Sequence, residues 1–577
     1  MTPRMSSASL KMSADAASAA PTERQQVDAA VAAVKEKARE FARLAPAAKA
    51  ALLRECIPRL MAEAPGWVAT GAAARGAPAS EEWLAGPSTT VRLFRLLADS
   101  LDEIATAGRP ALGRGARTRP DGRTEVALFP ASRLDGVTFM GFTGTALMDV
   151  GVTPEQARER QAAFYQRRDP EGGVSVVLGA GNVASIPPMD VASKLFVEGL
   201  VCVLKMNPVN EWVGPYLERA LQPLVSRGYL RIVYGGAEVG SMLVYHPGVD
   251  DVHITGSDRT HDLIVWGPPG PERDRRIAAR NPLLKIPISS ELGNVSPVAI
   301  APYAYSDEEL AFQARNVVSM VFNNGSFNCN AAKMLITAKG WPQRERFLDL
   351  IAQNLSAAPT RKAYYPGAFD RYRTLLAGHA EAQKFGQAGE DRLQWALVPG
   401  LDAADEREPL FRTEPFCGLL SETSIASTDP VEFLGQATRF MNDRLWGTLN
   451  AMLVVPPKLE ADPAVAAAVD RAIVDLRYGT VAINHWPALG YAFGTTPWGG
   501  HQSATLENIQ SGLGWVHNTY MLDGLDKAVV RGPLVLKPTP MWFFGNPKAE
   551  RVAPLAADLE AAPSWLKVPG LLLRVLF

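Results

Sequence analysis

Cys329 is the residue of this chain best suited to covalent chemistry, and it stands in the stretch NNGSFNCNAAKMLIT, residues 323–337. A cysteine thiolate is a strong nucleophile and can attack a carbonyl carbon when a turn presents it to a substrate. The alternative is a thiol that packs inside a core, as many single cysteines do. The small and amide side chains around Cys329 favour presentation at a turn over an apolar pocket.

Composition excludes several classes of function. The chain has 577 residues, of which 47% are hydrophobic and 21% charged, with a formal net charge of −1. A nearly neutral chain has no electrostatic reason to bind nucleic acid or an anionic membrane, and it contains no run of about 18 apolar residues that could span a bilayer. We therefore predict neither a nucleic-acid partner nor a membrane partner.

The cysteines indicate a reducing compartment. Cys56, Cys202, Cys329 and Cys417 are scattered, with no CxxC pair and no spacing typical of metal ligands. Such cysteines are expected to be reduced thiols in a cytosolic protein. The sequence therefore predicts a cytoplasmic location and no metal site.

Both ends of the chain differ from its middle. Residues 1–24 are rich in alanine and serine and lack an apolar segment, which predicts a disordered tail, with an amphipathic targeting peptide as the alternative. The apolar segment 565–577 is short, and we expect it to dock on the protein's own surface.

Between these ends the pattern predicts an α/β fold. Residues 25–110 have apolar positions at helical spacing, and residues 123–150 have the character of extended chain. From residue 172, short runs of valine, isoleucine and leucine alternate with helical segments, as in GVSVVLGAGN, VCVLKMNP, LRIVYGG and DDVHITGS. Strands buried on both faces of a parallel sheet have this composition, and ligands bind at the carboxyl ends of such strands.

Two further stretches are predicted to be irregular. Residues 267–287, GPPGPERDRRIAARNPLLKIP, interrupt the alternation and have the composition of an exposed basic loop. The chain from about residue 520 is rich in proline and is expected to lack regular elements.

A glycine loop follows the first strand of the α/β region. Gly179, Gly181 and Ala184 fit the G-x-G-x-x-G/A pattern of dinucleotide-binding loops. That pattern requires an acidic residue at the end of the second strand, to accept from ribose hydroxyls, and Lys205 stands there instead. A nucleotide site of a different construction remains possible.

Five motifs in order resemble the aldehyde dehydrogenase family over roughly residues 170–505. These are GGAEVGSMLVYHPGVDDVHITGS, ELGNVSPVAI, NNGSFNC, EPFCG and GTVAINHWPALGYAFGTTPWGG. The cysteine loop is one residue longer than in the family, so that Asn328 takes the nucleophile's place when the loop is aligned without a gap from Gly325. However, CNAAKMLI is similar to the cysteine loop of the related gamma-glutamyl phosphate reductases, which places the nucleophile at Cys329. The family's Pro-Trp-Asn turn is Ala-Gly-Asn here, which retains Asn182 and is similar to acyl-CoA reductases of the same superfamily.

The resemblance implies a domain organisation. A Rossmann-type cofactor domain would occupy residues 25–288 and include an extended oligomerisation segment at about 123–150. An α/β catalytic domain would follow at 289–510, with a C-terminal arm and extension at 511–577. The family likeness also implies a homodimer or homotetramer.

The resemblance also implies roles for three catalytic residues. Cys329 would attack an aldehyde to give a thiohemiacetal and then a thioester, and some local lowering of its pKa is expected. The side-chain amide of Asn182 and the backbone N–H of Cys329 would bind the oxyanion. Glu291 would activate the water that hydrolyses the thioester, although a carboxylate that caps a helix or turn is the alternative.

The cofactor implied by the resemblance is NAD or NADP. Its site residues would be Lys205 on the adenosine ribose, Gly256 and Ser257 near the pyrophosphate, Glu414 on the nicotinamide ribose and Phe416 beside the nicotinamide. An acid three positions after Lys205 would repel a 2′-phosphate, and this chain has Pro208 there, so NADP is permitted.

Three functions follow as hypotheses. The first is oxidation of a small-molecule aldehyde to its acid, which the presence of Glu291 favours. The second is reduction of an acyl-CoA or acyl phosphate, which needs no hydrolytic base, and the third is an inactive nucleotide-binding scaffold. If the first is correct, the sulfur of Cys329 should lie within a few ångströms of the Asn182 amide, with Glu291 in the same cavity. His246 and His253 are interpreted as structural.

Overall fold

The elements that position the candidate residues are taken from a computed structural model that describes residues 19–113 and 115–576. Its strands are β1 Ala116–Thr118, β2 Thr124–Phe129, β3 Thr143–Met148, β4 Val174–Leu178, β5 Val201–Lys205, β6 Leu230–Val233, β7 Asp251–Gly256, β8 Ile288–Leu292, β9 Pro297–Ile300, β10 Met334–Ala338, β11 Arg361–Lys362, β12 Gln383–Phe385, β13 Arg392–Leu393, β14 Trp395–Leu401, β15 Leu419–Ile425, β16 Asn450–Val454, β17 Thr480–Ile483 and β18 Leu525–Arg531. The tail predicted at 1–24 lies largely outside the described residues.

Helices of very different lengths surround these strands. They are α1 Arg24–Arg43, α2 Pro46–Arg75, α3 Ala79–Trp83, α4 Thr89–Ala107, α5 Arg133–Thr138, α6 Pro154–Glu159, α7 Ile186–Ala192, α8 Gly214–Ala220, α9 Gln222–Ser226, α10 Ala237–Val244, α11 Asp258–Trp266, α12 Pro271–Ala278, α13 Asp307–Phe322, α14 Arg344–Ala357, α15 Ala368–Leu376, α16 Pro409–Arg412, α17 Pro430–Arg444, α18 Pro457–Glu460, α19 Pro463–Asp475, α20 Ala488–Ala492, α21 Ala549–Ala561 and α22 Val568–Leu576. Within the described ranges, no helix is both long enough and apolar enough to cross a bilayer.

The first sheet has five parallel strands in the order β6-β5-β4-β7-β8. Every residue of β4 and β5 is buried, as expected for strands covered by helices on both faces. The parallel sheet predicted from the apolar runs is therefore confirmed. Its last strand, β8, spans Ile288–Leu292 and carries Glu291.

The second sheet has eleven strands, in the order β1-β2-β3-β18-β17-β16-β9-β10-β15-β14-β12. Its central strands run parallel, whereas β3 pairs antiparallel with both β18 and β2. The extended segment predicted at 123–150 is thus built into one side of this sheet. The largest apolar core packs around its central strands, and it includes the side chains of β9, β10 and β16.

Two predictions of irregular chain are wrong. Residues 271–278 of the predicted basic loop form α12, a helix with no buried residue. The region after residue 520 contains β18, α21 and α22. Helix α12 has no apolar face to detect, whereas in β18 the buried charged residues Asp526 and Lys527 interrupt the apolar run.

The C-terminal helices attach to the N-terminal helical region. The Glu560 carboxylate of α21 accepts from the guanidinium of Arg92 at 2.9 Å and from that of Arg95 at 2.8 Å. Helix α22 packs on α21 and buries Val568, whereas Leu573 remains 58% exposed. The docking predicted for the apolar segment 565–577 is therefore limited to one face of α22.

Candidate active site

A cavity of about 630 Å³ opens at the carboxyl ends of strands β4, β5, β7 and β8. This is the position predicted for a ligand site in a parallel sheet. All the candidate residues line it, namely Asn182, Lys205, Gly256, Ser257, Glu291, Cys329, Glu414 and Phe416. The structure therefore brings together residues from six separate segments of the chain.

A strained turn presents Cys329. Three successive residues between α13 and Cys329 have left-handed backbone, with φ of 53° at Asn324, 62° at Gly325 and 69° at Ser326. The Asn324 side-chain amide donates to the Asn182 backbone oxygen at 2.8 Å, and the Tyr364 hydroxyl donates to the Asn324 side-chain oxygen at 2.9 Å. These bonds offset part of the cost of positive φ at a non-glycine residue and fix the loop.

The structure distinguishes Cys329 from its neighbour Asn328. The side chain of Asn328 is buried, donates to the Asn323 amide oxygen at 2.9 Å and accepts from Asn324 at 2.9 Å. Cys329 is half-buried and lines the cavity, while its carbonyl oxygen accepts from Ser296 at 3.0 Å. The extra residue of the loop is thus accommodated in the turn, and Cys329 is the side chain that reaches the cavity.

The electrostatic environment of Cys329 is the opposite of the one expected. Desolvation, the nearby Glu291 carboxylate and the Glu414 carboxylate raise the pKa of the Cys329 thiol well above its ordinary value. The prediction of a lowered pKa is wrong, because it was made without the carboxylates that distant segments bring to the site. A thiol in this setting reacts only when a base removes its proton, and Glu291 is within hydrogen-bonding range of it.

Glu291 has the proton affinity of a general base. It lies on β8, is 3% exposed and lines the cavity. Burial, and next the negative charge of Asp190, raise its pKa to about 7, while a hydrogen bond with Cys329 acts in the opposite direction. A carboxyl group that titrates near neutral pH can both accept and release a proton under physiological conditions.

Asn182 joins the end of β4 to the cysteine loop. Its side-chain amide donates to the Phe327 carbonyl oxygen at 2.9 Å, so one of its two N–H groups holds the loop. The second N–H has no acceptor among the residues that the structure describes, and the side chain lines the cavity. Asn182 can therefore support the loop and donate to a ligand at the same time.

The sheet edge on the far side of the cavity is open and polar. Lys205 ends β5, and desolvation lowers its pKa while Glu211 opposes that shift. Ser257 caps α11 by accepting from the Thr260 backbone N–H at 3.2 Å, and Gly256 precedes it. The free N–H groups at the start of such a helix favour an anionic ligand.

Glu414 is half-buried beside the cysteine loop, and its Oε1 atom is buried and unused. Burial raises the pKa of the Glu414 carboxyl group, and the nearby Lys333 ammonium counteracts that rise. The Asn294 backbone N–H donates to the carboxylate, but Oε1 has no partner among the described residues. Phe416, with φ of 42°, packs its ring edge on Tyr365 at a centroid distance of 4.9 Å.

Sequence reasoning missed three residues of this neighbourhood. Asp190 acts on Glu291, Lys333 acts on Glu414, and Arg371 donates to the carbonyl oxygens of the Glu414 loop, at 3.1 Å to both Pro415 and Phe416. The single acid in the otherwise apolar segment IPPMDVA, which forms α7, was the available signal for Asp190, because a buried carboxylate requires a partner. No comparable signal marked Lys333 or Arg371.

Comparisons with known proteins agree with this architecture. A model described as the aldehyde dehydrogenase family matches residues 134–364. The geranial dehydrogenase of Castellaniella defragrans is 27% identical over 349 residues, which are 57% of this chain and 65% of that protein. The 4-trimethylaminobutyraldehyde dehydrogenase A of Danio rerio is 28% identical over 199 residues, 33% of this chain and 34% of that protein. The match thus spans less than two thirds of either relative.

A solved structure extends the likeness to nearly the whole chain. The Mycobacterium tuberculosis aldehyde dehydrogenase complexed with NAD+ superposes with a TM-score of 0.60 at 17% identity, covering 90% of this chain and 91% of that one. At this identity the superposition shows the fold alone. The predicted fold class is confirmed.

Proposed function

Since this chain belongs to the aldehyde dehydrogenase superfamily, we propose that it oxidises an aldehyde to the corresponding carboxylic acid with NAD+ or NADP+. The observation that carries the proposal is the convergence of Cys329, Asn182 and Glu291 on one cavity, with the pKa of Glu291 raised to about 7. A thiol, an amide donor and a base that titrates at neutral pH are the groups that a hydrolytic thioester mechanism requires.

The residues present fit a nicotinamide dinucleotide. Glu414 Oε1 is buried without a partner and could accept from a ribose hydroxyl, and the first turn of α11 behind Ser257 could face the pyrophosphate. Lys205 could donate to the second ribose. When bound, the cofactor would supply the hydride acceptor.

The protein's own groups would act as follows. Glu291 takes the proton of the Cys329 thiol, and the sulfur adds to the aldehyde carbon. The developing oxyanion accepts from the Asn182 amide and the Cys329 backbone N–H, each such donor contributing roughly 3 kcal/mol to stabilisation of the transition state. Glu291 then releases the proton of the thiol to solvent. After oxidation to the thioester, Glu291 takes a proton from water, the hydroxide oxygen bonds to the carbonyl carbon, and the C–S bond breaks with Cys329 leaving as the thiolate.

The test is formation of reduced cofactor by the purified protein with NAD+ or NADP+, with and without CoA. We expect turnover without CoA. The aldehyde panel should include geranial, the cation 4-trimethylaminobutyraldehyde and a plain alkyl aldehyde, because the relatives act on chemically different substrates. Turnover only with CoA would instead support the acylating reductase, and cofactor binding without any turnover would support the scaffold.

Glycine at position 293 is predicted to be required for cofactor binding. A Cβ atom there would lie 1.9 Å from Glu414 Oε2, so Gly293→Ala must displace that carboxylate. Because a hydrogen bond to a charged group is worth about 1.5–3 kcal/mol, we expect Kd for NAD(P)H to rise roughly tenfold to a hundredfold. Fluorescence titration with NAD(P)H measures this Kd.

Gly378→Ala is the matched control, since a Cβ atom at Gly378 meets nothing within 4 Å. An unchanged Kd in Gly293→Ala would show that Glu414 does not contact the cofactor. Assembly as a homodimer or homotetramer, and a cytoplasmic location, stay predictions.

A further inference from the structure

A polar cluster lies beside Glu291 on the face of the parallel sheet that α7 covers. Strands β7 and β8 place His253 opposite Ser289 and Thr255 opposite Glu291. Alternate residues of a strand share a face, so these four side chains stand together. Helix α7 adds the carboxylate of Asp190.

Asp190 and His253 form the centre of this cluster. Asp190 Oδ2 accepts from the Thr255 hydroxyl at 2.8 Å and lies 3.3 Å from His253 Nε2, while His253 Nδ1 lies 2.9 Å from Ser289 Oγ. Asp190 is 1% exposed and His253 is 2% exposed. A carboxylate and an imidazole buried this deeply are costly to desolvate. Packing of the sheet core does not require polar side chains at these two positions.

The contacts fix where an additional proton can go. Thr255 donates its hydroxyl hydrogen to Asp190, so its oxygen accepts from His253 Nε2, which lies 3.3 Å away, and the neutral imidazole carries its proton on Nε2. Nδ1 then accepts from the Ser289 hydroxyl. A second proton would therefore be accepted at Nδ1.

The other titratable groups that face Glu291 or Asp190 are unsuited to this task. Burial lowers the pKa of His517 to about 4, and burial raises the pKa of the Tyr491 hydroxyl well above its ordinary value. Both groups are therefore neutral near pH 7, as is the Cys329 thiol. Asp190 Oδ1 has no hydrogen-bond partner among the described residues, so this carboxylate retains an unused acceptor in the buried cluster.

We propose that Asp190 and His253 form a proton-accepting pair that takes from Glu291 the proton it removes from the attacking water. The inference rests on the proposed function. Water loses one proton to Glu291, the hydroxide oxygen bonds to the thioester carbon, and Cys329 leaves as the thiolate. Ser289 stands two residues before Glu291 on the same face of β8, so the proton's route runs from Glu291 by way of the Ser289 hydroxyl to Nδ1 of His253, and from half-buried Ser289 the proton reaches solvent. Only a proton moves, so no oxidant or reductant is consumed.

The pair acts through Glu291, as positioning residues, and touches neither aldehyde nor cofactor. The step that it serves comes after hydride transfer. Its loss should therefore slow release of the acid while leaving formation of the first equivalent of reduced cofactor intact. The two phases can be separated in a stopped-flow experiment without CoA.

The experiment compares the unmodified protein with Asp190→Asn and His253→Gln, using the aldehyde that gives the highest turnover. Glutamine keeps a donor and an acceptor at position 253 but cannot take up a proton. In both variants we expect a burst of about one reduced cofactor per site, followed by a steady-state rate lowered about tenfold or more. Added imidazole buffer should restore part of the steady-state rate of His253→Gln, which a purely structural defect would not allow.

His246→Gln is the matched control, because that histidine contacts Asp28 at 3.3 Å and the Gly248 backbone N–H at 2.9 Å outside the cavity, and its kinetics should not change. If Asp190→Asn fails to fold, the steady-state rate of His253→Gln and its restoration by imidazole still test the proposal. A steady-state rate equal to that of the unmodified protein, or equal loss of burst and steady state without rescue, would overturn the proposal. Absence of turnover without CoA in the unmodified protein would overturn the proposed function and this inference with it.

Discussion

Replacing Cys329 by alanine is expected to lower kcat for aldehyde oxidation by roughly 10⁴-fold or more, the loss typical of a covalent nucleophile. The reason is geometric as well as chemical. Cys329 is the thiol that lines the cavity, and the side chain of its neighbour Asn328 is turned into the loop, where Asn323 and Asn324 bind it. Among the described residues that line the cavity there is no second thiol to replace the sulfur. Steady-state formation of reduced cofactor measures the effect.

Cys56→Ala is the control for this substitution. Cys56 is a fully buried thiol on α2 and does not line the cavity. Its replacement should therefore change kcat by no more than about a factor of two. Binding of reduced cofactor should also be unchanged in Cys329→Ala. Substantial activity in Cys329→Ala would show that this cysteine is a packed thiol and that the chemistry lies elsewhere.

The second large effect is expected from Glu291→Gln. The steady-state rate without CoA should fall by about 10²- to 10⁴-fold, because glutamine cannot take a proton from water.

The direction in which the hydrolysis rate changes with pH is a separate prediction. Burial and Asp190 raise the pKa of Glu291 to about 7, so the group is protonated and inactive as a base below that pH and ionised above it. Hydrolysis in the unmodified protein should therefore rise with pH through about 7.

In Glu291→Gln this rise should be absent from the residual rate. Glu308→Gln, which changes an exposed carboxylate paired with Lys537, is the control and should retain the profile of the unmodified protein. Because Glu291 also takes the proton of the Cys329 thiol, CoA should not restore full turnover to Glu291→Gln; full restoration would show that only the hydrolytic step needs the base. A Glu291→Gln variant that hydrolyses at the normal rate would make this residue a structural carboxylate.

Much of the fold could be predicted because its strands are chemically uniform. The runs that became β4 and β5 consist largely of buried apolar residues, and Gly179 after β4 and Gly256 at the end of β7 mark turns at which the cavity lies. The site could be predicted only through the order of its motifs. That order implied that Cys329 and Glu291 would meet, although 38 positions and two elements of structure separate them.

The predictions that were wrong, for β18, α12 and the pKa of Cys329, have identifiable physical causes. Strand β18 contains Asp526 and Lys527, both buried, which destroyed the apolar pattern of the run. Their burial depends on remote partners, since Asp526 accepts from Arg123 at 2.7 Å and Lys527 donates to the Val474 carbonyl oxygen at 2.8 Å. Helix α12 was missed for the opposite reason, because it buries nothing, and its signals are Pro271 and acidic residues at the start and arginines in its last turn. The prediction for the pKa of Cys329 was wrong because that pKa depends on burial and on carboxylates that are close in space but distant in sequence.

The pairing of β3 with β18 has a consequence for how the chain is made. Met148 lies opposite Leu525, roughly 380 residues later in the chain. At about 5–20 residues per second, a ribosome that has completed β2 and β3 needs roughly twenty seconds to over a minute to supply their partner. During that interval the edge of β3 presents unpaired N–H and C=O groups, which other chains can bind. The nascent protein therefore needs protection of this edge until β18 has been synthesised, and its folding is expected to be slow because the contact is so distant in sequence.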